Sequence, residues 1–413
     1  MIQLLIIADD FTGAIDTGVQ LAAKGANTRV MTRPNIDLRT VDDRVQVLVL
    51  DMETRHISAQ DAYNAVYQIV SQSMAMGIPY IYKKTDSALR GNIGAELSAL
   101  LDASGVAHLP FLPAFPQIGR TTENGIHYIN GVPVDQSVFG NDPFEPVRVS
   151  DVTKLIGLQS RASVETVSVG GFHQEGKQIQ VYDAMTADDL VQAGEWLAQH
   201  GQLQVAAGCA GFGSILPRLI GLEGSAGQLP HLDSRLLVLC GSVNPVTREQ
   251  LEMAEQNGFV RIRLTPEQKL TPGYFDTEPG KAIVETMRRM LAENPHVIID
   301  TNDLGGNEAT MSWARRNGLS MDDVRKRISG VLGDIMLRLF DSPDLGTLFV
   351  TGGDTLLQCM NSVDVYELVP IGELFTGTVL SSFTIRGRTK QVISKSGGFG
   401  EPTLLTDLAR TIS

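Results

Sequence analysis

The sequence predicts an α/β protein of two domains, each with a mostly parallel sheet flanked by helices. Two patterns carry that expectation. Short, nearly unbroken apolar runs, such as residues 2–7 and 236–240, read as strands buried on both faces. Amphipathic segments of helical spacing fall between such runs, which is the arithmetic of right-handed βαβ units. A third observation sets the domain count. The 413 residues exceed one usual core, and the α/β rhythm breaks in a small, polar stretch near residues 221–234. The boundary falls there, giving domains 1–230 and 231–413.

Taken in order, a strand at residues 2–7 leads to a helix at 12–24, where Ile15, Val19 and Ala22 share a face and Gly25 is a stop. A strand follows at 44–50. Ser58 then caps a helix running to about residue 76. Residues 78–82 read as strand, 94–101 as helix and 108–112 as strand. Between residues 110 and 146 prolines and glycines crowd in, and a long ordered loop is expected, either a lid over the strand ends or a proline-stiffened excursion. In the second domain, strands are expected at 236–240, 296–300, 347–350 and 391–395. Helices are expected from Thr247, over 323–339 and after residue 355.

Composition narrows the function. Hydrophobic residues make up 43% of the chain and charged residues 20%, as in an ordinary globular protein. A net charge of −13 argues against nucleic acid as a partner. No apolar run is long enough to span a bilayer, so no membrane association is expected. The first apolar run is too short for a signal peptide and ends in two aspartates. Cys209, Cys240 and Cys359 show no metal or redox spacing and read as buried residues in a reducing compartment, the cytoplasm.

The chemistry centres on Ala8-Asp9-Asp10-Phe11-Thr12-Gly13-Ala14. Two carboxylates sit where a central strand ends and a helix begins, the edge where open α/β sheets bind ligands. As neighbours on an extended backbone, Asp9 and Asp10 are expected to point to opposite sides. An aspartyl phosphatase would want its carboxylates two apart, on one side. Helix capping by Asp10 or Thr12 is the plainer alternative. Arg55, Lys84 and Arg90 fall at or just past strand ends, beside Asp86. Singly each reads as a solvated charge; together they suit a carboxylate and a phosphoryl group.

The second domain carries glycine and hydroxyl residues after three strands: Gly241-Ser242, Gly352-Gly353-Asp354-Thr355 and Ser396-Gly397-Gly398. Glycine lets the backbone approach a phosphate, and helix-start amides attract anions. Neither a P-loop nor a G-x-G-x-x-G opening a helix is present. A hydroxy acid on the first domain and a nucleotide on the second make a kinase, with ATP and Mg²⁺ as cofactors. His56, His108 and His127 are scattered, with no H-E-x-x-H, and read as structural or as hydrogen-bond partners.

These stretches resemble the four-carbon acid sugar kinase family. The first-domain likeness rests on Ala8-Asp9-Asp10-Phe11-Thr12-Gly13-Ala14, on Lys83 to Asn92, on Pro113-Ala114-Phe115-Pro116 with Gly119-Arg120-Thr121-Thr122, on Gly131-Val132-Pro133-Val134 and on Asp142-Pro143. The second-domain likeness rests on Gly241-Ser242, Gly352-Gly353-Asp354-Thr355 and Lys395-Ser396-Gly397-Gly398-Phe399-Gly400. The resemblance implies a sugar-acid-binding first domain and a nucleotide-binding second. Asp9, Arg55, Lys83, Lys84, Thr85 and Asp86 would contact the acid; Ser242, Gly352, Gly353, Asp354, Thr355, Gly397 and Gly398 would contact ATP. It implies D-threonate as substrate, with D-erythronate and 3-oxo-tetronate as alternatives. The catalytic set would be Asp9, Asp10, Lys84 and Arg90, with either aspartate as base. Arg55 and Lys84 would hold the acid's carboxylate and nearby oxygens, and Arg90 would stabilise the transferred charge. The Mg²⁺ ligands and the number of subunits in a homo-oligomer are not set. A non-catalytic sugar-acid-binding protein is the rival outside enzymology; an oxidoreductase is disfavoured by the missing dinucleotide fingerprint.

Overall fold

A computed structural model describes residues 1–33, 35–142, 145–172, 176–222, 224, 229–395 and 398–412. The chain divides into two compact units, Met1–Gly227 and Gln228–Ser413. Each is an α/β unit with a mostly parallel sheet, as the sequence predicts.

In the first unit the strands of the main sheet are β1 (Leu4–Ala8), β2 (Thr28–Met31), β3 (Val47–Asp51), β4 (Tyr80–Lys84) and β5 (Leu109–Leu112). Three strands, β6 (Arg120–Glu123), β7 (Ile126–Ile129) and β8 (Val132–Pro133), form a separate antiparallel sheet. The main sheet then takes β9 (Val164–Val167), β10 (Ile179–Tyr182) and β11 (Val205–Gly208). Its order is β2-β3-β1-β4-β11-β5-β10-β9, parallel throughout.

All five residues of β1 are buried, which is why its apolar run has no polar alternation. Leu5, Ile7, Leu48 and Leu50 pack on one face with Val66, Ile69 and Val70 of helix α2 (Ala59–Ala75). Leu97 and Leu100 of helix α3 (Ile93–Ser104) join the same core. Each such side chain contributes roughly 1.5–3 kcal/mol by leaving water. Ser58 caps α2 by accepting from the Asp61 amide. The register sets Ala8 level with Asp51 on one side and with Lys84 on the other. One sheet edge therefore collects Asp9, Asp51 and the Lys84 segment.

Two expectations are corrected here. The fourth strand runs over Tyr80–Lys84 rather than 78–82, so Lys83 and Lys84 lie inside it and alternate between faces. Residues 110–146 are no long loop: they hold the end of β5 and the three-stranded sheet. Asn124-Gly125 and Asn130-Gly131 both have positive φ at each residue, the geometry of tight hairpin turns.

In the second unit, β12 (Leu236–Cys240), β13 (Val260–Arg263), β14 (His296–Asp300) and β15 (Thr347–Thr351) are followed by β16 (Glu367–Phe375), β17 (Thr378–Ile385) and β18 (Arg388–Lys395). The order is β13-β14-β12-β15-β18-β17-β16. Pairing is parallel as far as β18 and antiparallel beyond it. Val238, Ile298, Phe349 and Ile393 build its core with Leu251, Leu404 and Leu408. Helix Met321–Leu339 begins two residues before the expected start, with Ser320 and Asp323 closing a capping box.

Candidate active site

At the carboxyl edge of the first sheet, Arg55 is the hub. Its backbone amide donates to the Asp9 carbonyl at 3.2 Å, which fixes the turn after β3 against the end of β1. Its Nε donates to Asp9 Oδ2 at 2.8 Å and its Nη1 to Asp10 Oδ2 at 2.8 Å. Nη2 lies 2.7 Å from Asp10 Oδ1 and 3.6 Å from Asp86 Oδ1. One guanidinium thus meets three carboxylates. Asp9 and Asp10 do not diverge as expected. Helix α1 (Phe11–Ala22) starts directly at Phe11, Asp10 caps it through the Gly13 amide, and Arg55 reaches across to both. The capping reading of Asp10 and the ionic one are both present.

Lys84 lies at the end of β4 with Nζ 3.9 Å from Asp9 and 3.7 Å from Asp10. Gly13 makes that reach feasible: a β-carbon there would stand 1.9 Å from Lys84 Nζ. Arg90 forks onto Asp86, Nε to Oδ2 and Nη2 to Oδ1, both at 2.9 Å, and stands 3.6 Å from Asp142. The turn holding this pair has Leu89 at φ 63 and Gly91 at φ 86; a β-carbon on Gly91 would crowd Arg55 Cγ at 3.0 Å. Burial pushes the Asp9 carboxyl up, but Arg55, Lys84 and Lys83 outweigh it and the net shift is downward. At Asp86 burial is likewise outweighed, by Arg55 and Arg90, and the carboxyl lies well below its usual range. For Lys84, burial is outweighed by Asp10 and Asp9, which hold the ammonium charged.

Lys83 does not join this group. It is fully buried on the opposite face of β4, paired with Glu96 of α3 at 3.1 Å. Glu96 also accepts from the Thr54 hydroxyl, and burial raises its carboxyl. Glu96 is a partner that the sequence signalled and the expectation missed: one charge amid the buried Ile93, Leu97 and Leu100 of its helix. Asp51 is a second. Buried at the end of β3, it is pushed well up by burial and by Glu53. Thr85 is buried beyond Lys84, and neither its Oγ1 nor Asp9 Oδ1 makes a hydrogen bond. Buried polar atoms are nearly always paired, so two orphans at neighbouring strand ends mark a place prepared for polar atoms from outside.

In the second unit the expected loops converge at the carboxyl ends of β12 and β15. Gly352, at φ 103, precedes helix Gly353–Ser362 and leaves its amino end without a side-chain cap. A β-carbon on Gly241 would stand 2.1 Å from Thr355 Oγ1; one on Gly352 would stand 3.1 Å from it and 3.9 Å from the Ser242 amide. Gly241 is thus set by close contact with Thr355, and Gly352 by its positive φ. Such free helix-start amides suit a phosphate. Asp354 is exposed in the first turn, 3.6 Å from Arg325. Gly398 lies near Asn244 Nδ2; Ser396 and Gly397 fall outside the described residues, as does Pro143.

Two residues here were not expected. Asn302 donates to the Ser242 carbonyl at 3.1 Å, while its buried Oδ1 makes no hydrogen bond. Lys395 Nζ donates to Thr247 Oγ1 at 3.2 Å and to the Phe399 carbonyl at 3.1 Å, and burial lowers it to about 8. Among the described residues no cluster of three or more His, Cys, Asp or Glu side chains could hold a metal ion, and no helix is long and apolar enough to cross a membrane.

Comparisons with known proteins agree with this division of labour. Residues 4–216 match the family model of a sugar-binding N-terminal domain, and residues 237–405 that of a nucleotide-binding C-terminal domain. The chain is 30% identical to a D-threonate kinase of Salmonella typhimurium, over 98% of this chain and 97% of the relative. It is 27% identical to a D-erythronate kinase of Heliobacterium modesticaldum, over 90% of this chain and 89% of the relative. A solved structure from Salmonella typhimurium superposes over all of both chains with a TM-score of 0.83 at 20% identity, a likeness of fold.

Proposed function

Because the chain belongs to the four-carbon acid sugar kinase family, we propose that it transfers the γ-phosphoryl group of ATP to the terminal hydroxyl of D-threonate, giving 4-phospho-D-threonate. The observation that supports a sugar-acid site is the Asp9, Asp10, Arg55, Lys84 and Asp86 cluster, with its orphaned Asp9 Oδ1 and Thr85 Oγ1.

In the proposed reaction the substrate hydroxyl oxygen bonds to the γ-phosphorus, the bond to the β-bridging oxygen breaks, and ADP leaves. The hydroxyl proton goes to Asp9. Its Oδ1 has no hydrogen-bond donor, whereas both oxygens of Asp10 are committed to Arg55 and the helix start. Lys84 and Thr85 receive the acid's oxygens, and Arg90 offsets charge on the transferred group. Ser242, Gly352, Gly353, Asp354, Thr355, Gly397 and Gly398 hold the nucleotide. Mg²⁺ enters as part of the MgATP substrate. Such an ion keeps several waters and needs few protein ligands, and Asp354 is the carboxylate of this loop. The bound ion would offset the negative charge of the phosphates. The three buried, free cysteines accord with a cytoplasmic location.

The test is ATP consumption by the purified protein against D-threonate, L-threonate, D-erythronate and 3-oxo-tetronate. Selective turnover of D-threonate is expected. Selective turnover of D-erythronate, the substrate named for the second relative, would move the specificity and keep the kinase. Folded protein that consumed no ATP with any of the four would put the non-catalytic binding protein first.

A further inference from the structure

One cation beside the acid site takes no part in its ion pairs. Arg55 is spread across Asp9, Asp10 and Asp86, Lys84 stands between Asp9 and Asp10, and Arg90 is forked onto Asp86 with Asp142 beyond it. A sugar acid entering this cluster brings a carboxylate of its own and finds every one of those cations already matched. Arg120 is not matched. Among the described residues its guanidinium makes no hydrogen bond and no ion pair, and its buried Nε has no partner at all.

The fold holds Arg120 in place without using its charge. It opens β6, after the left-handed turn at Gly119, and its backbone pairs with Phe115 in both directions. The hairpin is pinned to the Asp86 turn by His127. His127 Nε2 donates to the Ser87 carbonyl at 2.9 Å, and Nδ1 accepts from Thr122 Oγ1 at 3.0 Å. Phe139 completes the arrangement: the Arg120 guanidinium lies 5.2 Å from its ring centroid and the Arg90 guanidinium 5.3 Å from it. A ring face orients a guanidinium and leaves its N–H edge free for an anion. Burial lowers the Arg120 guanidinium from its ordinary range, Asp86 partly offsets this, and the Arg90 charge adds to it. A bound anion would relieve that strain.

We propose that Arg120 binds the carboxylate of the sugar acid, presented edge-on from the β6–β7 hairpin beside Arg90, and so selects acids over neutral sugars. This rests on the sugar-acid kinase reading above and deepens it. It also reassigns the carboxylate contact, which Arg55 cannot make while it bridges three aspartates. The same anion chemistry could belong to the transferred phosphoryl group, and the two sources separate in the kinetics. A carboxylate contact acts on acid affinity, a phosphoryl contact on kcat.

The experiment is calorimetric binding of D-threonate, without nucleotide, to the full-length protein and its R120K and R120A variants, with kcat and KM beside it. Binding to R120A should weaken roughly 10- to 100-fold, the range of a lost charged hydrogen-bond pair. R120K should recover part of this, and kcat should change little. Neutral threitol should bind wild type and R120A equally weakly. R120A that binds D-threonate within twofold of wild type, while melting at the wild-type temperature, would overturn the proposal. So would an unchanged acid affinity with a fallen kcat, which would move Arg120 to the phosphoryl group. Should R120A melt early, R120K with wild-type stability decides, since a structural role would not alter acid binding in it. Wild-type protein that bound the acid but consumed no ATP would sink the kinase reading alone.

Discussion

Asp9 and Asp10 are adjacent, equally charged and held by one arginine, yet the structure distinguishes them. Asp10 spends one oxygen on the start of α1, and Asp9 keeps one oxygen without a donor. D9N should therefore lower kcat by about 10²- to 10⁴-fold, the usual contribution of a general base, and D10N by less. Equal, near-normal turnover in both variants would remove the base from this pair. Gly13 offers a sharper probe, because its substitution removes no charge and acts only by crowding the Lys84 ammonium and the Asp10 carboxylate. The added methyl of G13A must displace the Lys84 ammonium. Activity should fall at least tenfold, by the loss of one charged contact, with melting little changed. His127 gives a pH signature. Burial lowers it to about 4, against about 6.5 in an unfolded chain. Between those values the unfolded chain binds the extra proton, so stability falls as pH drops from 6.5 to 4, by up to about 3 kcal/mol. The depressed carboxyls of Asp9 and Asp86 give stability that is present above their unfolded value and lost as pH falls below about 4. Urea midpoints measured from pH 7 to pH 3 would show both limbs, and H127Q should flatten the upper one alone.

At the scale of elements, each site is made where strands end. Parallel pairing brings the ends of β1, β3 and β4 level, so residues far apart in sequence share one edge. In the second unit, the loop after β12 meets the helix start after β15 where Gly241 leaves room for Thr355 and Gly352 takes a positive φ. G241A should push Thr355 aside and raise KM for ATP about tenfold or more, with KM for the acid unchanged. A rise in both would mean general loosening of the unit. Lys395, at the end of β18, gives a second signature. Its amine is lowered to about 8 by burial, so the fraction carrying charge falls above that pH. If its ammonium meets the nucleotide phosphates, kcat/KM for ATP falls above pH 8, and K395M removes that limb.

For the whole molecule, each unit has its own sheet and its own core, and each family model matches one of them. Binding of the two substrates should then be separable. By calorimetry on the full chain, D9N should lose acid affinity and keep that for ATP, while G241A should do the reverse. The α/β class was legible in the sequence because a buried parallel strand has no polar alternation, and residues 236–240 and 296–300 show that directly. Motifs with local geometry, such as the Ser58 cap, were legible for the same reason: their partners lie within a few residues. Residues 110–146 depart from the expected loop because two Asn-Gly pairs close hairpins there, a signal that proline and glycine content alone does not carry. What only the tertiary structure decided is which charges meet. Lys83 and Lys84 are neighbours in sequence, yet strand alternation sends one to Glu96 in the core and the other to Asp9 and Asp10. Asp9 and Asp10 should have parted by the same rule, but a helix starting at once and an arginine 45 residues away hold them together. Arg120 stands in a motif the sequence displays, and its unmatched charge exists only once every nearby carboxylate has found another cation. Pairing of charges across a fold depends on distances that the order of residues does not contain.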